Sequence, residues 1–212
     1  MRLALSDIYK SYGGKAVLNG FTYAFEPGLV YAVMGPNGCG KSTLLRIACL
    51  LEPPDRGSVI YLNGDTPVEN GISLRRRITL LLPGIGVFNT SVYKNAAYGP
   101  AIRGIKGDSA RERVMAALEA VGLSGKSRQN ALTLSSGEKQ RLGIARAMAV
   151  GPDILFLDEP TASVDEDNTK IIENIILDMR RRGKNTIIMS THDRRQAERL
   201  ADGIIDIKGL GV

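Results

Sequence analysis

The sequence predicts an α/β fold in which a parallel sheet is covered by helices on both faces, with an inserted helical lobe. Three observations carry that expectation. Apolar, β-branched strands alternate with helices through the last part of the chain: strands at 153–157, 185–190 and 204–207, helices at 167–182 and 193–201. Earlier, the buried-looking run Val30 to Met34 feeds a glycine-rich turn and then an apolar-rich helix from Thr43 to Leu51. Between these regions the pattern is helical from about 91 to 150, and residues 86–135 read as the inserted lobe. That leaves 1–85 and 136–212 as one core, and 212 residues suffice for one well-buried core with a lobe attached.

The remaining elements follow from local chemistry. Residues 2–10 and 21–25 read as strands, with the Gly13-Gly14 turn between them. Pro53-Pro54-Asp55-Arg56-Gly57 breaks the chain before a strand at 58–62, which turns at Asn63-Gly64. Ile78 to Leu82 is a short apolar strand stopped by Pro83-Gly84. Ser109-Ala110-Arg111-Glu112 reads as a capping box for a helix running to Val121, and Gly122 ends it.

Composition narrows the class. Apolar content of 43% and charged content of 24% describe an ordinary globular protein. No apolar run approaches the ~18–20 residues that cross a bilayer. The start, Met1 to Asp7, meets an acid too early for a signal peptide, and no regulatory domain is expected after Gly209-Leu210-Gly211-Val212. Cys39 and Cys49 flank one short helix, too far apart to bridge, so a reducing cytoplasm is the default compartment. The net charge of +6 is spread over separate clusters, Arg75-Arg76-Arg77, Arg180-Arg181-Arg182 and Arg194-Arg195, without aromatic interleaving. Solvated surface accounts for them, with anionic lipid headgroups the next reading, and no nucleic-acid partner is expected.

The chemistry lies in three motifs. Gly35-Pro36-Asn37-Gly38-Cys39-Gly40-Lys41-Ser42-Thr43 fills the G-x-x-x-x-G-K-[ST] template between a strand and a helix. Its glycines let the backbone curl so that successive N–H groups point at phosphate oxygens, aided by the helix dipole. Lys41 should reach the β- and γ-phosphates of a nucleoside triphosphate, and the Ser42 hydroxyl should ligate Mg²⁺. Asp153 to Glu159 is an apolar strand ending in two acids. Such acids are often plain turn residues, but beside a phosphate loop Asp158 suits Mg²⁺ and Glu159 can polarise an attacking water. Leu134-Ser135-Ser136-Gly137-Glu138-Lys139-Gln140-Arg141 opens a helix with hydroxyls and free N–H groups; alone it fits a simple N-cap or an anion site.

In this order, the motifs resemble those of the ATP-binding subunits of ABC transporters, which carry L-S-G-G-Q ahead of the D-E strand end. The resemblance covers nearly the whole chain. It implies a single ABC-type ATPase domain with a phosphate-loop NTPase (RecA-like) core, an antiparallel β subdomain and an α-helical subdomain facing a membrane partner. Tyr12 resembles the aromatic residue that stacks on adenine, although a core aromatic fits the position too. Ser163-Val164-Asp165 resembles the loop that crosses the dimer interface, and Asp165 also fits a helix N-cap. His192, the single histidine, resembles the family's switch histidine, with a loop histidine as the alternative.

The resemblance further implies two copies sandwiching two ATP head to tail, the phosphate loop of one facing Ser135 and Gly137 of the other. A separate integral-membrane permease, and indirectly a solute-binding protein, would complete the assembly on the cytoplasmic face of the membrane. Val87 to Tyr93, Ala97-Tyr98-Gly99 and Ile102-Arg103-Gly104 look like the ATPases of tungstate, molybdate and phosphate importers. The alternatives are a soluble ABC ATPase acting outside transport and a weakly hydrolysing regulatory module.

Three positions depart from the family pattern. Pro83 stands where a glutamine usually touches Mg²⁺ and water; proline offers no side-chain donor or acceptor, so either Mg²⁺ gains another water or Gln129 or Gln140 compensates, and slow, weakly coupled hydrolysis is expected. Ser136 replaces the first signature glycine, and Glu138 replaces glutamine.

Overall fold

A computed structural model describes residues 1–162 and 164–207. Ser163 and the terminal Gly209-Leu210-Gly211-Val212 lie outside the described residues. The chain forms two compact units. The first takes in Met1–Leu80, Asp153–Glu159 and the chain from Met179; the second takes in Leu81–Pro152 and Pro160–Asp178. The second unit contains the 86–135 segment together with the helix that follows it.

In the first unit, β1 (Arg2–Tyr12) and β2 (Lys15–Phe25) form an antiparallel hairpin around Gly13 and Gly14. Both strands run longer than the sequence suggests, because the pairing continues to Tyr12↔Lys15, past the end of the alternating apolar pattern. With β4 (Arg56–Asn63) and β5 (Thr66–Pro67) they make a sheet of order β2-β1-β4-β5. The second sheet has the order β6-β7-β8-β3-β9, from β6 (Ile78–Leu81), β7 (Ile154–Asp158), β8 (Thr186–Thr191), β3 (Val30–Met34) and β9 (Gly203–Asp206). β7, β8, β3 and β9 run parallel. Every residue of β3, β7 and β8 is buried, as expected of central parallel strands.

Helix α1 (Lys41–Ala48) follows the glycine loop and packs on β7 and β8. Its Leu44, Leu45 and Ile47 join Phe21, Phe25 and Tyr31 in one apolar cluster. Phe25 and Tyr31 meet edge to face with centroids 5.1 Å apart. The short α2 (Ile72–Arg75) precedes β6.

The second unit is helical: α3 (Val92–Ile102), α4 (Gly107–Ala120) and α5 (Ser136–Val150). α3 and α5 approach closely at Gly99, where a Cβ would lie 2.3 Å from a Val150 methyl. Asn95, fully buried, binds the 88–91 loop: it accepts the Phe88 N–H (2.9 Å) and donates to the Phe88 and Ser91 carbonyls (3.1 and 3.0 Å). One expectation fails here. α4 begins at Gly107 with Lys106 as its cap residue, so Ser109 and Glu112 lie inside the helix and form no capping box. The capping box sits instead at the start of α5.

α6 (Glu166–Arg182) and α7 (Arg194–Leu200) complete the elements. Arginines from all three clusters pair with acids: Arg77 with Asp153, Arg180 with Asp202, and Arg194 with Glu198. Among the described residues no helix is long and apolar enough to cross a membrane.

Candidate nucleotide site

The parallel order β7-β8-β3 brings three strand ends to one edge, the usual position for a ligand in such sheets. Met34 leads into the glycine loop, Asp158 into Glu159, and Thr191 into His192. Register fixes the neighbours: Asp158 pairs with Ser190, and Met34 with Thr191.

The glycine loop requires its glycines. Gly40, at the N-cap of α1, has φ +104, and a Cβ there would sit 2.8 Å from a Val17 methyl. The Lys41 ammonium, only 5% exposed, donates to the carbonyls of Gly35 (2.9 Å) and Pro36 (3.1 Å). It also lies 3.6 Å from Glu159 Oε1. Cys39 is half-buried, whereas burial pushes the Cys49 thiol up to about 11.

Asp158 and Glu159 differ in setting. Asp158 is 3% exposed, and its Oδ1 accepts the Ser190 hydroxyl at 2.6 Å. Glu159 has φ +46, a left-handed conformation that costs a non-glycine residue about 1 kcal/mol or more. Its N–H donates to Ser190 Oγ at 2.9 Å. His192 is largely exposed, with Nδ1 3.8 Å from Glu159 Oε1. Asp193, the next residue, caps α7 by accepting the N–H groups of Arg195 and Gln196.

Asp158 and the Ser42 hydroxyl are hard oxygen donors, and they fit Mg²⁺, which takes one or two protein ligands beside water and phosphate oxygens. Among the described residues no cluster of three or more His, Cys, Asp or Glu could hold a metal ion.

Tyr12 is 43% exposed at the end of β1, so it is not a core aromatic. Its hydroxyl donates to Glu52, and Lys10 lies 5.6 Å from its ring centroid. The Tyr12 hydroxyl, with Lys10 beside it, holds the Glu52 carboxyl below its ordinary range.

In the second unit, Ser135 caps α5 through a reciprocal box. Its Oγ accepts the Glu138 N–H (3.2 Å), and its own N–H donates to Glu138 Oε2 (3.0 Å). Lys126 binds the same carboxylate and, with the Ser135 N–H, lowers its pKa. Gly137 is buried against Asn168, whose Cγ would be 2.2 Å from an added Cβ. Asn168 in turn donates its N–H (2.8 Å) and its amide (2.8 and 3.0 Å) to Asp165, which makes Asp165 the N-terminal cap of α6. Ser136 is exposed, and Pro83, Ser136, Lys139 and Gln140 line one small cavity. Gln140, 6% exposed, donates its amide to the Pro160 carbonyl (2.9 Å), and Gln129 donates to Thr133 (2.8 Å).

Sequence reasoning missed Ser190, Asn168, Asn95 and Glu52. Ser190 gave the only available signal, a hydroxyl interrupting the apolar run Ile187-Ile188-Met189 just before Thr191-His192.

Comparison with known proteins bears on this geometry. The ABC transporter family model matches residues 18–162. The ATP-binding protein TupC of the tungstate uptake system from Peptoclostridium acidaminophilum is 38% identical, over 97% of this chain and 94% of that one. Phosphate import ATP-binding protein PstB 2 of Natronomonas pharaonis is 37% identical over 96% of this chain and 75% of its own length. Among solved structures, cbiO1 from Clostridium perfringens, part of the ABC transporter complex cbiONQ, superposes with a TM-score of 0.85 at 29% identity. That superposition covers 96% of this chain and 83% of the other. The antiparallel sheet, the parallel sheet with its phosphate loop and the helical unit agree with this fold, and the chain belongs to the ABC transporter family as one of its ATP-binding, ATP-hydrolysing subunits.

Proposed function

We propose that this chain binds ATP with Mg²⁺ at the phosphate loop and hydrolyses it in a head-to-tail dimer, powering oxyanion import through a separate membrane permease. The carrying observation is the strand-end cluster of Lys41, Asp158, Glu159 and Ser190, where a cation, two carboxylates and a buried hydroxyl meet. Lys41 binds the β- and γ-phosphate oxygens, exchanging the loop carbonyls that now accept its protons for anionic acceptors. Ser42 and Asp158 would hold Mg²⁺, which when bound would supply positive charge against the phosphates. Glu159 takes the proton of a water whose oxygen attacks the γ-phosphorus, while the bond to the bridging β–γ oxygen breaks. His192, 3.8 Å from Glu159 Oε1, holds the γ-phosphate and the geometry of that water.

The cap at Ser135 is compatible with a role toward a second copy's ATP. Its oxygen accepts the Glu138 N–H, and its O–H proton can still be donated to a phosphate oxygen. Gly137 and Asp165 belong to the same proposed trans surface, and Tyr12 stacks on the adenine. The oxyanion reading draws on the tungstate and phosphate import names of the relatives, and a place on the inner membrane face follows from a permease partner.

Purified chain should hydrolyse ATP in a Mg²⁺-dependent manner and co-purify with a polytopic membrane protein. Tungstate, molybdate or phosphate should stimulate turnover of the assembled complex, and stimulation by none of them would remove the oxyanion assignment. Pro83 favours a second reading, a module that hydrolyses slowly, because proline offers no side-chain oxygen at that place, while the Gln129 and Gln140 amides each donate a bond within the chain, to Thr133 and to the Pro160 carbonyl. Pro83→Gln should raise saturated turnover several-fold, and an unchanged rate would show that the proline is not what limits it.

A further inference from the structure

The Ser190 side chain is fully buried, yet it is a hydroxyl at the end of an otherwise apolar run in β8. It makes two hydrogen bonds of opposite sense. Its Oγ accepts the Glu159 backbone N–H at 2.9 Å and donates to Asp158 Oδ1 at 2.6 Å. A single hydroxyl therefore joins the two acids that follow one another at the end of β7. The bond to Glu159 falls on a residue whose φ of +46 is unfavourable for a side chain, a conformation that persists only when its surroundings over-determine it. The bond to Asp158 fixes one carboxylate oxygen and so sets the direction in which the other faces.

We propose that Ser190 is a positioning residue for ATP hydrolysis: its hydroxyl locks the strained backbone of Glu159 and the rotamer of Asp158 in one unit. This rests on the reading of Glu159 as the base. Without the hydroxyl, the Glu159 N–H and Asp158 Oδ1 lose their shared partner in a buried place. The backbone at 159 is then free to relax toward negative φ, which swings the Glu159 carboxylate off the water. The β- and γ-phosphates are bound by Lys41 and the loop N–H groups, which Ser190 does not touch; Asp158 loses its lock but keeps its carboxylate at the end of β7, so ATP affinity changes much less than turnover.

The test compares Ser190→Ala, Ser190→Thr and Glu159→Gln, singly and as the Ser190→Ala/Glu159→Gln pair. Steady-state ATP hydrolysis and thermal midpoint are read for each. Ser190→Ala should lower kcat by about ten-fold or more with KM for ATP changed less than about three-fold, the loss being in turnover alone. Ser190→Thr, which keeps the hydroxyl, should recover most of kcat. In the Glu159→Gln background the added loss from Ser190→Ala should be several-fold smaller than in the parent, since its effect runs mainly through Glu159. If Ser190→Ala fails to fold, Ser190→Cys, of similar size but a weak hydrogen-bonder, carries the same comparison. Parent-like kcat in the variant without the hydroxyl, or full multiplicative losses in the pair, would overturn the proposal. Parent-like hydrolysis by Glu159→Gln would instead overturn the base reading on which it rests.

Discussion

The two motif-bearing regions of this chain are built on different principles. At the ends of β3, β7 and β8, Lys41, Asp158 and Ser190 are nearly or fully buried and are bonded to loop carbonyls, a hydroxyl and a neighbouring backbone N–H. At the start of α5, Ser135 and Glu138 form a capping box whose serine is exposed, steadied by Lys126. The first is a preorganised cluster with a residue held at positive φ; the second is a stable helix end with donors still on offer. Buried polar networks are costly to disturb, whereas a cap exchanges one hydrogen bond for another. The difference teaches that the strand-end cluster is held rigidly by buried bonds, as the proposed chemistry needs, while the helix start keeps an exposed hydroxyl that the proposed trans contact would use.

The largest expected effect lies in the first region. Glu159→Gln should retain ATP binding while cutting turnover by about 10²–10⁴-fold. Nucleotide binding and single-turnover hydrolysis measure this separately, and undiminished hydrolysis would take Glu159 out of the base role. In the second region, Ser135→Asp separates cap from function. Aspartate caps a helix as well as serine does but has no proton to donate and repels a triphosphate. The thermal midpoint should stay within about 2–4 °C, a cap change being worth well under 1 kcal/mol, while turnover falls by about 10²-fold. A parent-like rate would reduce Ser135 to a helix cap. The smallest effect contrasts two thiols. At neutral pH Cys39 should alkylate with protection by ATP, and Cys49, buried and pushed up to about 11, should not react until the chain unfolds. Mass-spectrometric labelling reads both.

Much of the fold was legible because its signals are local. Val30 to Met34, Ile154 to Leu157 and Ile187 to Met189 are apolar runs of strand length, and burial on both faces makes such runs unmistakable. The phosphate loop declares itself by glycines that only a tight, positive-φ path requires. What the sequence hid depends on register and close approach. Ser190 faces Asp158 because β7 and β8 pair residue to residue, a fact absent from either strand alone. Asn168 lies thirty-one positions after Gly137, and only folding sets its amide where a Cβ would otherwise go. The misplaced capping box has the same origin. Ser109 and Glu112 match the pattern, but α4 starts two residues earlier, and the pattern is satisfied instead by Ser135 and Glu138.

The central claim is that the phosphate loop is half of a site whose other half comes from a second copy. Mixing two inactive variants tests it most directly. Lys41→Ala disables the phosphate loop and Ser135→Asp the signature end, and each alone should hydrolyse ATP negligibly. In a head-to-tail pair of one of each, one of the two sites combines an intact loop with an intact signature. Activity should therefore appear on mixing and rise with the fraction of mixed dimer. A mixture as inactive as its components at every ratio would contradict the composite site.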